Sequence, residues 1–104
     1  MQVIARPKLN QWIEDHPNAR EALLVFYAVA VSARWTELDD VRATFPSADV
    51  VRLPNGRMRL VFNIKGNSYR LVAGYQWASE TNAGRLYLKD FMTHAEYDKD
   101  RWKR

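Results

Sequence analysis

The run Arg57-Met-Arg-Leu-Val-Phe-Asn-Ile-Lys-Gly-Asn-Ser-Tyr-Arg70 restricts the fold more than any other part of the chain. Leu60, Phe62 and Ile64 alternate with Val61, Asn63 and Lys65, the period of two that sends successive side chains to opposite faces of a strand. Gly66 and Asn67 tolerate positive φ, and a second alternating run follows, with Tyr69, Leu71, Ala73 and Tyr75 against Arg70, Val72 and Gly74. The pattern predicts a β-hairpin with one oily face and one polar face. If the oily face packs on helices, Asn63, Lys65 and Arg70 are held close together on an open sheet surface, and such a surface suits a phosphate.

At 104 residues the chain suits one domain spanning residues 1–104, with a core that needs neither metal nor disulfide staples. It has no cysteine, which excludes a thiolate metal site and a thiol nucleophile. Its two histidines, His16 and His94, lack ligand spacing, so no metal site is expected. No apolar run reaches the roughly 20 residues that cross a bilayer. The first residues lack the basic region and apolar core of a signal peptide, and the expectation is a cytoplasmic protein without membrane partners. The formal charge of +4 favours a polyanionic or acidic partner. Acids concentrate in the helical first half, as Glu14, Asp15, Glu21, Glu37, Asp39 and Asp40, whereas from Arg52 to Arg104 bases outnumber acids. The positive field is therefore expected over the sheet.

Residues 1–5 suit a short strand or an extended arm. Leu9, Trp12, Ile13 and His16 mark one helical face, with Pro7 in the first turn and Pro17 at the end. His16 reads as a packing residue. Asn18 and Glu21 suggest a capping box for a second helix from Ala19 to about Arg34, built on Leu23, Phe26 and Ala30. A short third helical piece carries Leu38 and Val41 and stops at Phe45-Pro46. Four strands follow: Val50–Leu53, Arg57–Lys65, Asn67–Trp77 and Leu86–Met92. In the last of these, Leu86, Leu88 and Asp90 fall on one face, and Tyr87, Lys89 and Phe91 on the other. Thr93-x-x-Glu96 matches a capping box for a short C-terminal helix. The expected architecture is α+β: two N-terminal helices packed on a twisted antiparallel sheet of about four strands, with a short C-terminal helix.

Two motifs in this order, Phe62-Asn-Ile-x-Gly-Asn-x-Tyr-Arg-Leu71 and Met92-Thr-His-x-Glu-Tyr-Asp-Lys99, resemble the HigB-type toxins of bacterial toxin-antitoxin modules, a branch of the RelE/ParE-like superfamily. Trp35-Thr-Glu-Leu-x-x-Val and Phe45-Pro-Ser-Ala-Asp49 fit the same pattern. The resemblance implies an mRNA interferase, an endoribonuclease that cuts messenger RNA, commonly on the translating ribosome, and is neutralised by a HigA-like helix-turn-helix antitoxin. It also implies the RelE-like layering of helices on one face of the sheet and substrate on the other. The other reading of the same fold is a non-catalytic binder, such as the ParE branches that disable an enzyme.

RNA cleavage without a cofactor uses the 2′-hydroxyl as nucleophile, so the protein supplies a base, an acid and a cation for the phosphate oxygens. Arg70 suits the phosphate clamp through its two-pronged guanidinium, or else pairs structurally with an acid such as Asp90. His94 can take and give a proton near neutrality, and a position near a helix N-terminus would favour its neutral form; the alternative is that it ties the last helix to the sheet. Tyr97 can orient the leaving oxygen, stack on a base or seat the helix. Lys65 offers a point charge. Arg57, Arg59, Lys89 and Lys99 are candidate RNA-backbone contacts, and Asn63 binds substrate or satisfies a main-chain group.

Overall fold

Helices α1 (Arg6–Asp15) and α2 (Arg20–Ser32) form where apolar residues recur at three- and four-residue steps: Leu9 and Trp12 on the first, Leu23, Phe26 and Ala30 on the second, all buried. The computed structural model describes residues 1–103, and Arg104 of the basic C-terminal end lies outside them. Pro7 sits in the first turn of α1, and the chain passes through His16 into a single 3₁₀ turn, Pro17–Ala19. The Asn18 capping box is not formed: α2 starts at Arg20, with Ala19 in the cap position and no side-chain cap, and Asn18 Oδ1 instead accepts the Tyr69 hydroxyl at 3.4 Å. Helix α3 is Leu38–Thr44.

Strands β1 (Gln2–Ile4), β2 (Asp49–Arg52), β3 (Met58–Ile64), β4 (Tyr69–Gln76) and β5 (Arg85–Thr93) form one sheet in the order β1-β5-β4-β3-β2. The sheet thus has five strands where four were expected. It is mixed, because β1 runs parallel to β5 and the other pairings are antiparallel. The open choice for residues 1–5 resolves as a strand, since the edge of β5 offers a ladder from Arg85 to Tyr87. In the β3–β4 turn, the positive-φ residues are Lys65 and Gly66, not Gly66 and Asn67 as expected. That shift leaves Asn67 free to use its side chain elsewhere.

The oily face is as the alternation predicts. Leu60, Phe62, Ile64, Tyr69, Leu71, Ala73, Leu86 and Leu88 share one buried cluster with the apolar faces of α1 and α2. Phe62 sits at its centre, with the rings of Phe26, Phe45 and Trp35 at centroid distances of 4.9, 5.4 and 6.0 Å. Burying a side chain of this size contributes about 1.5–3 kcal/mol, enough to fix the face on which the helices lie. Among the described residues, no helix is long and apolar enough to cross a membrane.

Two expectations about the faces fail. Between the pairs Val72–Asp90 and Ala73–Leu88, strand β5 holds one extra residue, Lys89, a bulge that reverses the alternation beyond it. Phe91 therefore turns to the helices, stacked on Trp12 and Tyr69 at 5.6 and 5.0 Å, while Asp90 goes to the opposite face. The main-chain carbonyl of Lys89 accepts Nζ of Lys8 from α1 at 3.3 Å. The second failure concerns the face away from the helices, which is not bare. Leu53, Val61, Val72, Met92 and Trp102 form a second buried cluster there, flanked by Val51 and Tyr97.

Candidate active site

The face away from the helices is laid out in rows by the sheet register. Asn63 faces Arg70, which faces Met92; the next row is Val61, Val72 and Asp90; beyond it come Arg59, Gly74 and Tyr87. Helix α4 (His94–Asp98) closes the end of the first row as β5 runs out. It starts there because the Thr93 hydroxyl accepts the Glu96 amide at 3.2 Å, while Glu96 Oε1 accepts the Thr93 amide at 3.0 Å. These two bonds fix where Tyr97 emerges.

Arg70 is only 8% exposed and is the charged residue buried within the sheet. Its Nη1 donates to the carbonyls of Asn67 and Tyr69 at 3.2 and 3.1 Å, and its Nη2 to Oδ1 of Asn67 at 2.6 Å. The guanidinium carbon lies 5.7 Å from the centre of the Tyr97 ring. Among the described residues, no carboxylate is within ion-pairing distance, so the expected alternative, a pair with Asp90, is not formed. Burying a charge is costly unless it is neutralised. Here two carbonyls, one amide oxygen and one ring offset that cost only in part. Three of the five N–H groups are engaged, and the remaining two can meet an anion. Arg70 thus combines a pre-set orientation with a charge that no carboxylate among the described residues offsets.

Tyr97 is half-buried. Its phenol is pushed above the ordinary tyrosine range, first by that burial and then by the carboxylate of Asp49, while Arg70 acts in the opposite sense. It stays a neutral O–H donor at physiological pH. Trp102 holds it from behind: the two rings stack at 5.0 Å with 17° between planes, and the indole N–H donates to the Tyr97 carbonyl at 3.1 Å. Nothing in the sequence reading pointed to Trp102. The available signal was one large aromatic inside the charged run Lys99–Arg104, a costly place for an indole unless it is buried.

His94 is the first residue of α4, and its amide donates to the Ser68 carbonyl at 3.0 Å, which ties the helix to the turn that carries Asn67. Its ring reaches Asp98 on its own helix, with Nε2 3.3 Å from Oδ2. No hydrogen bond joins it to Arg70 or Tyr97 among the described residues. Lys65 lies in the turn beyond β3, exposed, and beside Asn63 and Ile64 it borders an apolar hollow against α2. It is therefore off the row that holds Asn63 and Arg70. Arg57, Arg59 and Lys89 gather around Gly74 and Tyr87, two rows away from Arg70. Lys99 ends α4 and borders a hollow with Asp90, Glu96 and Arg101. His16 is a packing residue, edge-on to Tyr69 and Phe91 at 5.3 Å.

Residues 19–100 match the family described as HigB_toxin, RelE-like toxic component of a toxin-antitoxin system. The chain is also 26% identical over 99 residues to a protein of Escherichia coli O6:H1 named mRNA interferase HigB, an alignment covering 95% of this chain and 90% of that one.

Proposed function

Since this chain belongs to the HigB family, RelE-like toxic components of toxin-antitoxin systems, we propose that it is an mRNA interferase, an endoribonuclease that cuts messenger RNA on the face of the sheet away from the helices. The observation that carries this reading is Arg70, a nearly buried guanidinium with no acid beside it among the described residues and two donors to spare, next to a neutral phenol. A scissile phosphate is an anion of the right shape for that vacancy in charge.

In this mechanism Arg70 clamps the non-bridging oxygens. The ribose 2′-oxygen attacks the phosphorus, its proton passes to His94, and the bond to the 5′-oxygen breaks as that oxygen is protonated. Tyr97 supplies the proton to that leaving oxygen, or stacks on the flanking base while a water supplies it. Lys65 acts as a point charge from the turn, and Asn63, Arg57, Arg59, Lys89 and Lys99 hold the strand by its backbone. The protein acts in the cytoplasm as one RelE-like domain, on messages held by the ribosome, and a HigA-like helix-turn-helix antitoxin neutralises it.

The test is the mapping of transcript ends in a cell-free translation extract, with and without ribosomes. Wild-type protein should leave messages cut within coding sequence. Arg70→Lys keeps the charge but loses the fork, and should slow cutting by about 10²–10³, the loss typical of a removed oxyanion donor. His94→Ala should abolish cutting with an unchanged melt. Intact messages at full dose overturn the proposal.

A further inference from the structure

Gly74 sits in the middle of β4, where a glycine weakens a strand and commonly marks a place of close approach. A Cβ built there would meet Lys89 Cε at 3.3 Å, Tyr87 Cβ at 3.6 Å and Arg59 Nη1 at 3.8 Å. Two cationic side chains thus crowd around one point on the sheet, and the missing side chain is what lets them lie across it. Arg57 borders the same shallow hollow. None of these three cations is paired with a carboxylate among the described residues, although the chain has 12 acids. Gathering like charges in this way is unfavourable in the absence of an anion. Tyr87 is half-buried beside them, with Lys89 Nζ 5.8 Å from its ring centre. Alternation along β5 places Lys89 on the same face as Tyr87, and the extra residue brings Asp90 to that face one row further on, beside Val72.

We infer that Gly74 marks a second phosphate subsite, in which Arg59 and Lys89, with Arg57 at the rim, bind a backbone phosphate of the single-stranded RNA a short way along from the one being cut. Arg70 and Gly74 are four residues apart on one strand and face the same side, a separation of roughly 13 Å at about 3.3 Å per residue. One phosphate cannot serve both places. The subsite therefore grips the strand about two nucleotides along and sets register, without touching the reacting atoms. Tyr87 lies where it can stack on the base of that nucleotide. The inference rests on the reading of the protein as an RNA-cutting toxin, and its test is independent of cutting.

The experiment measures binding of the purified protein to a short single-stranded RNA oligonucleotide with 2′-O-methyl ribose, which cannot be cleaved, across a salt series. Arg59→Ala and Lys89→Ala should each weaken binding several-fold and reduce the slope of log affinity against log salt by about 0.7, the value for one phosphate contact on a single strand. Gly74→Val, which fills the hollow without changing charge, should weaken binding while the melt stays within a few degrees. Arg70→Ala should retain the contribution of the subsite, and so lose further affinity when Lys89→Ala is added. With a cleavable message, Lys89→Ala should raise KM more than it lowers kcat. Unchanged affinity and salt slope in Arg59→Ala and Lys89→Ala overturn the inference, whether or not the wild type cuts RNA. So does an effect that appears only when ribosomes are present, because it assigns the phosphate to ribosomal RNA.

Discussion

Replacing Trp102 by alanine separates two roles of the C-terminal segment, anchoring and site geometry. Trp102 is 7% exposed, packed with Leu53, Val61, Val72 and Met92 and stacked on Tyr97. Removing a buried indole costs about 3–5 kcal/mol in a closed core. This cluster is small and lies at the surface, where neighbours can collapse into the space, which places the transfer and cavity cost near the low end. The loss of the indole bond to the Tyr97 carbonyl adds about 1 kcal/mol, less whatever water returns to that oxygen. A ceiling also applies: once the segment after α4 detaches, no further cost accrues to the rest of the sheet. The expected global destabilisation is therefore about 3 kcal/mol, a large share of the roughly 5–15 kcal/mol that holds a domain together. Urea unfolding followed by circular dichroism measures it. Trp102→Phe keeps a ring to stack but loses the N–H and part of the buried indole, so about 1–2 kcal/mol is expected. Tyr97 should also lose its fixed position over Arg70, so RNA cutting at a temperature well below the melt should fall in Trp102→Ala and largely recover in Trp102→Phe. A Trp102→Ala protein within 0.5 kcal/mol of wild type would refute the reasoning, because a seated indole cannot be removed so cheaply.

Gly84 and Gly66 both have positive φ, of 77° and 63°, but a Cβ at Gly84 would lie 2.7 Å from the Ala78 backbone nitrogen, whereas at Gly66 nothing is within 4 Å. Gly84→Ala should therefore cost several-fold more in urea unfolding than Gly66→Ala, for which about 1–2 kcal/mol of left-handed strain is expected. Thr93→Ala should cost about 1 kcal/mol through the lost cap. The Glu96 carboxyl is held below its ordinary range by the Thr93 amide and then by the Thr93 hydroxyl, so its contribution is present above the unfolded value and is lost as pH falls through the lower folded one. Removing the hydroxyl should therefore weaken that acid limb in a pH series of melts. The Tyr97 phenol is raised, chiefly by burial, so its contribution is present below the unfolded tyrosine value and is lost as pH rises through the higher folded one. Tyr97→Phe should flatten the alkaline limb of the stability profile, and an unaltered limb would show that the ring is solvated.

The sequence is a sound guide to this fold wherever one local rule acts alone. Alternation places Leu60, Phe62 and Ile64 on the helix side, and Thr93-x-x-Glu96 starts the last helix, because each depends on neighbours in the chain. The rule fails where pairing partners intervene. Asn67 reads as a turn residue, yet the turn shifts its positive φ onto Lys65 and Gly66, and Asn67 becomes the main side-chain support of Arg70. No local pattern can show which acid an arginine lacks. The bulge at Lys89 is the sharpest case. Period-two counting puts Phe91 on the substrate side and Asp90 among the helices, and both placements are reversed by one inserted residue. The trace of this was present in the sequence as Lys89-Asp90, two adjacent charges between Leu88 and Phe91, since an uninterrupted strand would have to bury one of them. Following the charges rather than the count puts Asp90 on the same face as Lys89 and leaves Phe91 to the helices. The inserted residue thus turns Phe91 into the core and Asp90 out of it, while Lys89 keeps the side that alternation gives it.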